Sequence, residues 1–207
     1  LADGTLSSSG VVSSTSTGNI DLLSLGKLSL GANVTSAGGN ITLAADTNSN
    51  EATGVEKFEQ TAGTIGSGGG TVGITVATGA GTGTGGAELR AINSGAGTLT
   101  VTSHRGSIIE QASGVSLLTS SADITLKAGE TTKGSTSVGT LADAINTQSS
   151  GAGTLNATAG SGGIFLDEAD AGIIGTVTTT GAGNIKIQNL ADGTLSSSGV
   201  VSSTSTG

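Results

Sequence analysis

The chain has 207 residues, a formal net charge of −8, 38 Gly and no Cys, Met, Trp, Tyr or Pro, and its two Phe are its only aromatic residues. So little bulk fills a compact globular core of this length badly, and the lack of Cys removes disulfides and thiolate metal sites. Seven scattered basic residues argue against nucleic acid or an anionic membrane as a partner, because both need a concentrated positive surface. Charge density is nevertheless too low, and Val, Ile and Leu too regularly spaced, for a disordered chain. Small side chains with frequent Gly suit a narrow solenoid, in which each coil buries its apolar residues against the next.

The first string, Leu1–Gly18 (LADGTLSSSGVVSSTSTG), returns unchanged at Leu190–Gly207, so the repeat that separates Leu1 from Leu190 is 189 residues long. Residues 1–189 therefore read as one repeat and 190–207 as the start of the next, a window on a tandem array in which neither end is a natural terminus. The two copies are expected to share one conformation, related by a single axial translation, with no linker after Asn189. No basic leader with an apolar run opens the sequence, and no stretch reaches the roughly 18 apolar residues of a membrane span.

Short alternating runs follow in chain order: Asn19-Ile20-Asp21-Leu22, Lys27-Leu28-Ser29-Leu30, Asn40-Ile41-Thr42-Leu43, Thr98-Leu99-Thr100-Val101, Asp123-Ile124-Thr125-Leu126 and Asn184-Ile185-Lys186-Ile187. Every second residue is apolar, the mark of strands with one buried face. Gly and small polar clusters between them mark corners. Three strand-like points between Ile20 and Ile41 make one turn of a triangular coil, and turns of about 21 to 28 residues give roughly seven to nine coils per repeat, or about 34 to 43 Å of axis. The expected fold is all-β, a single-chain parallel β-helix.

Internal similarity assigns environments within the coils. GAGTL at Gly95–Leu99 recurs at Gly151–Leu155 and, as GAGNI, at Gly181–Ile185. An offset of 56 pairs Ile108 and Ile109 with Ile164 and Phe165, and an offset of 51 pairs Phe58-Glu59-Gln60 with Ile109-Glu110-Gln111. On that alignment Phe58, Ile109 and Phe165 share one inward position on one sheet. Glu88, Arg90, Lys127, Lys133, Asp143 and Lys186 should point outward, because a narrow interior cannot solvate a charge.

Few residues carry chemistry. Asp167, Glu168 and Asp170 form the densest acidic group; a solvated turn is the first reading, a weak Ca²⁺ site at a coil edge the second, and paired-carboxylate catalysis the last, since no aromatic platform or basic clamp lies nearby. His104 and Arg105 align at the 56-residue offset with Gly160 and Ser161, which makes them turn residues, and no Ser/His/Asp set can be assembled around them. Gly66–Gly70 and Gly79–Gly86 lack the Lys-Ser/Thr ending of a phosphate loop and read as corners. Asn33, Asn40 and Asn156 head Asn-x-Thr triplets but are expected to brace turns rather than carry glycans. No catalytic or cofactor-binding residue is assigned.

GNITLAAD at Gly39–Asp46, ADITLKAG at Ala122–Gly129 and GNIDLLSLGKLSLGAN at Gly18–Asn33 resemble filamentous-haemagglutinin-like adhesins and giant repetitive bacterial surface proteins. The resemblance implies a right-handed parallel β-helix in a long secreted stalk or fibre. The stretch around Asn48–Lys57 reads as an insertion that departs from the shorter regular repeats of such proteins. The expected function is thus a structural repeat of an extracellular fibre, stalk or sheath on a bacterial cell surface, with identical repeats of the same chain as partners and lateral association with other fibres. The alternative is an adhesive face that binds carbohydrate, a host surface or ice. Ice binding requires Thr-x-Thr pairs stacked on one flat sheet in consecutive turns, and Thr98-Leu99-Thr100 and Thr178-Thr179-Thr180 do not recur at a constant coil spacing.

Overall fold

The computed structural model describes residues 4–49, 56–77, 84–114, 117–131 and 134–204. These residues form strands and turns without a helix, and all strand pairs are parallel. The first coil has three faces, Leu6–Ser8, Val12–Ser14 and Ile20–Leu23, and each coil lays its strands on those of the coil before. The protein is a β-solenoid. Leu6, Leu28, Phe58, Ala87, Ile108, Val138, Ile164 and Ile185 stack in register on the first face and define seven turns, whose lengths vary between 21 and 30 residues.

The alternating runs behave as their pattern requires. On the third face Ile20, Ile41, Val72, Leu99, Ile124, Leu155 and Ile174 stack in one inner column, and Leu22, Leu43, Ile74, Val101, Leu126, Ala157 and Val177 in a second. The side chains between them point to solvent. The second face contributes Val12, Val34, Ile65, Ile92 and Leu118. Each fully buried Leu, Ile or Val in these columns contributes about 1.5–3 kcal/mol, so the core is a set of axial ladders rather than a central cluster.

In the seventh coil the corner between the first and second faces straightens. Strand Gly163–Glu168 pairs with both Ser137–Val138 and Ile145–Ser149, which joins the first two faces into one sheet. The next strand, Ile173–Thr180, carries a bulge: Gly175 and Thr176 oppose the single residue Asn156. The side chain of Asn156 closes it by accepting the Thr176 N–H at 2.9 Å and donating to Thr154 Oγ1 at 2.8 Å.

Three expectations are corrected by this register. Phe58 stacks with Ile108, not Ile109, and lies in the core at 0% exposure. Ile109 and Phe165 alternate with the inner residues Ile108 and Ile164 and face away from the core, although Phe165 is only 6% exposed. The 51-residue alignment was one position too long, and a slip of one residue moves a side chain to the opposite face; the 56-residue match of Ile108 with Ile164 holds.

The two copies of the duplicated string also differ. Leu6–Ser8 and Val12–Ser14 lie on the first and second faces, whereas Ser196–Ser197 and Val201–Thr204 both pair with Ile173–Thr180 on the third. A string with one Leu and a few Val among Ser and Thr has strand propensity but weak register, so the coil beneath decides where it sits. Third, the coils reach 30 residues, beyond the 28 expected, because loops of different length leave the same corners.

Candidate functional site

Two polar ladders hold the corner between the second and third faces. Ser14, Ser36, Ser67, Ser94, Ser120 and Ser149 occupy one stacked position. Their hydroxyls satisfy the turn: Ser36 Oγ donates to Gly18 O at 3.1 Å and accepts from Gly39 N at 2.9 Å, Ser67 Oγ donates to Ser94 O at 3.0 Å and to Gly70 O, and Ser120 Oγ donates to Gly97 O at 2.9 Å. Buried backbone groups at a corner need such partners, since the ladder bonds stop there. The sequence signal was present as Ser-x-x-Gly at Ser36–Gly39, Ser67–Gly70 and Ser94–Gly97, and sequence reasoning missed it.

Outside the same corner, amides and carboxylates link coil to coil. Asn40 N donates to Asn19 Oδ1 at 3.0 Å, Thr71 N to Asn40 Oδ1 at 2.9 Å and Thr154 N to Asp123 Oδ1 at 2.9 Å, while Asn33 Oδ1 accepts from Thr64 N at 2.9 Å. Asn40 at this corner and Asn33 at the one between the first and second faces thus brace turns, as expected, whereas Asn156 lies within strand Thr154–Ala159 and braces its bulge instead. The glycines here are close-approach positions. A Cβ on Gly39, Gly70, Gly97 or Gly153 would stand 2.2, 2.4, 2.0 or 2.1 Å from the carbonyl oxygen of the coil below. Gly66–Gly70 forms this corner too, with Gly68 and Gly69 at φ +65° and +118°.

Threonine dominates the outward side of the third face. Thr42, Gly73, Thr100, Thr125 and Asn156 form one stacked column, and Ala44, Thr75, Thr102, Lys127, Thr158 and Thr178 the next. Thr71, Thr98 and Thr154 precede these strands in the same alternation. Single Thr residues thus recur at about 4.8 Å between coils. Thr-x-Thr pairs, however, stand only in the coils of Leu99–Ser103 and Ile173–Thr180, and the coils between present Thr125 with Lys127 and Asn156 with Thr158, so the pairs do not stack in consecutive turns. This agrees with the sequence expectation for the pairs, while the columns of single Thr residues are new. Spacing along the chain is irregular because the loops differ in length, while the strand register is regular.

The acidic trio is divided by strand alternation. Ile164, Leu166 and Glu168 share the inner side of Gly163–Glu168, and Asp167 points the other way. Glu168 is 0% exposed, which overturns the solvated-turn reading for this residue. Its Oε2 accepts from Thr147 Oγ1 at 2.7 Å and its Oε1 from Ser149 N at 2.8 Å. Burial raises its pKa most; Thr147 and Ser149 oppose that, and the adjacent Asp170 carboxyl adds to it. Among the described residues no three His, Cys, Asp or Glu side chains converge as a metal cluster.

The other candidates lie at corners or on outer faces. His104 follows the third face of the fourth coil, and its Nδ1 is 3.1 Å from Thr131 Oγ1. Glu88, Arg90, Lys127, Asp143 and Lys186 lie at half-buried or exposed outward positions, and Lys133 lies outside the described residues. On the first face Lys27 meets Glu59 at 2.6 Å, Lys57 meets Glu59 at 3.4 Å and Glu88 at 2.5 Å, and Ser29 Oγ donates to Glu59 at 2.8 Å. This axial charge ladder spans three coils. Comparison of the chain with protein-family models, curated proteins and solved structures finds no match.

Proposed function

We propose that the chain is a structural segment of an extracellular fibre, stalk or sheath of a bacterial cell surface, in which further copies of the same unit are its main partners. One observation carries this reading. Leu6 in the first coil and Val201 in the last extend the inner columns of Leu28 and Val177, yet they are 39% and 49% exposed, because a further coil is what would cover them. The sides of the solenoid carry mostly Thr, Asn and paired charges, with Leu23, Leu117 and Leu141 as exposed apolar residues. The sequence identity of the two strings and the resemblance to filamentous-haemagglutinin-like proteins support the same reading, while the different pairing of the strings argues against copies related by a pure axial translation. Proteins of one, two and three tandem copies, compared by electron microscopy and urea unfolding, test it. Each copy should lengthen the particle by about 34 Å, the rise of seven coils, and raise the unfolding midpoint through the new coil-to-coil interface. Copies that tumble as separate beads, or that unfold as one copy does, would refute the proposal.

A second reading is favoured by the threonine columns. Columns of hydroxyl and methyl groups at a fixed coil spacing suit the ordered water of an ice face, although Gly73, Ala44, Lys127 and Asn156 interrupt them. Thermal hysteresis decides between the readings: activity that Gly73→Thr increases and Thr100→Lys abolishes supports ice binding, and no hysteresis rejects it.

A further inference from the structure

The interior column of the second face is apolar for five coils, from Val12 to Leu118, and then changes to Thr147, Glu168 and Asn189. Glu168 brings a carboxyl into this interior, and no ion pair reaches it among the described residues. The carboxyl of Asp170 lies near enough that, like burial, it favours the protonated form of Glu168. Two carboxyl groups so placed repel unless a proton or a cation lies between them.

Two oxygens beside this pair have no hydrogen-bond partner: Ser149 Oγ, on a residue 1% exposed, and Asp170 Oδ1. Ser149 Oγ and Glu168 Cδ stand 2.7 and 3.4 Å from the point where a Cβ on Gly172 would lie, so only glycine lets the chain after Asp170 pack against both groups at once. A shared proton would join one oxygen of each carboxyl and leave both orphan oxygens as they are. A hard cation would gather all of these groups, because Ca²⁺ takes about 6–8 oxygen ligands and accepts carboxylates in one- or two-oxygen modes.

We propose that Glu168, Asp170 and the hydroxyl of Ser149 form a site for a hard divalent cation of the Ca²⁺ type, at the corner after strand Gly163–Glu168. Water completes the shell. Thr147 Oγ1 and Ser149 N orient the Glu168 carboxylate, and Asp167, on the opposite side of the strand, takes no part. The site locks the straightened seventh coil to the sixth, since Ser149 and Thr147 belong to one coil and Glu168 and Asp170 to the next. The proposal does not depend on the fibre reading: a cation can bind one copy of the chain whether or not copies stack.

The chain, stripped with EDTA, is titrated with CaCl₂ and separately with MgCl₂ by calorimetry, and its thermal unfolding is followed by circular dichroism. Ca²⁺ should bind with a stoichiometry of one and raise the unfolding midpoint by a few degrees. Glu168→Gln should abolish both effects, Ser149→Ala should weaken binding by about tenfold or more, and Asp167→Asn should change neither. Ser149→Ala keeps the test decisive if Glu168→Gln fails to fold. Absence of Ca²⁺ binding, binding that persists in Glu168→Gln or in a fully folded Ser149→Ala with unchanged affinity, or a midpoint that responds to pH but not to Ca²⁺, overturns the proposal.

Discussion

Replacing Gly97 by Ala tests the claim that coil spacing, not turn conformation, demands glycine at this corner. Gly97 has no positive φ, so the backbone itself tolerates Ala. The added Cβ, however, would stand 2.0 Å from Gly70 O and 2.3 Å from its carbon. The closest ordinary approach of carbon to a carbonyl oxygen is about 3.3 Å, so the two coils must part by about 1.3 Å at this point. Three bonds that cross there, Val72 N to Thr98 O at 2.9 Å, Ser67 N to Asn93 O at 3.1 Å and Ser67 Oγ to Ser94 O at 3.0 Å, would stretch or break. At about 1 kcal/mol each the loss is about 3 kcal/mol, and the stiffer unfolded chain returns about 0.4–1 kcal/mol. The net expectation is a loss of about 2–3 kcal/mol. Gly73 is the control: it too has no positive φ and has nothing within 4 Å of its Cβ position, so Gly73→Ala should stabilise the chain by about 0.4–1 kcal/mol. Urea unfolding followed by circular dichroism, suited to a chain without Trp or Tyr, measures both. Equal stability of Gly97→Ala and the native chain, or an equal loss in both variants, would refute the close-approach argument.

Phe58→Ala should cost about 3–5 kcal/mol, as for a fully buried aromatic, whereas Ile109→Ala should stay within about 1 kcal/mol; the reverse order would restore the abandoned alignment. Ser67→Ala leaves the turn carbonyls of Gly70 and Ser94 short of a donor and should cost about 1–3 kcal/mol, measurable in the same titration. The Glu59 carboxyl would be raised by its burial, but hydrogen bonds from Lys27 and Ser29 and the charge of Lys57 outweigh this and hold it below its ordinary value of 4.5. Its contribution is therefore present above that value and lost as pH falls through the lower folded-state pKa. Glu59→Gln should flatten that acid limb by less than about 1 kcal/mol, as expected for a largely surface ion pair, and an unchanged limb would refute the ladder's role.

Period-2 alternation made the solenoid legible, because Ile41 and Leu43, Leu99 and Val101, and Ile124 and Leu126 each put two apolar residues on one side of a short strand. Matching by residue identity was less reliable than matching by alternation. Glu59-Gln60 resembles Glu110-Gln111, yet the inner residues are Phe58 and Ile108. Glu168 could have been found by extending the alternation of Ile164 and Leu166 by one step; the general rule that charges face solvent hid it. The threonine columns could not be read from the chain, because their regularity exists between coils and the loops conceal it. The proximity of Glu168 and Asp170 arises where the chain straightens one corner and turns at the next, which local sequence does not specify.

The phase of the duplicated string has a consequence for symmetry. Seven turns carry Leu6 to Ile185, but the second string begins its pairing only at Ser196, on the third face instead of the first. The repeat and the coil are therefore incommensurate, and because the first copy spreads its two strands over two faces while the second lays both on one, neither a translation nor a rigid screw rotation relates the copies. No single operation then carries the threonine columns of one copy onto those of the next, so a flat crystal could engage one unit at a time.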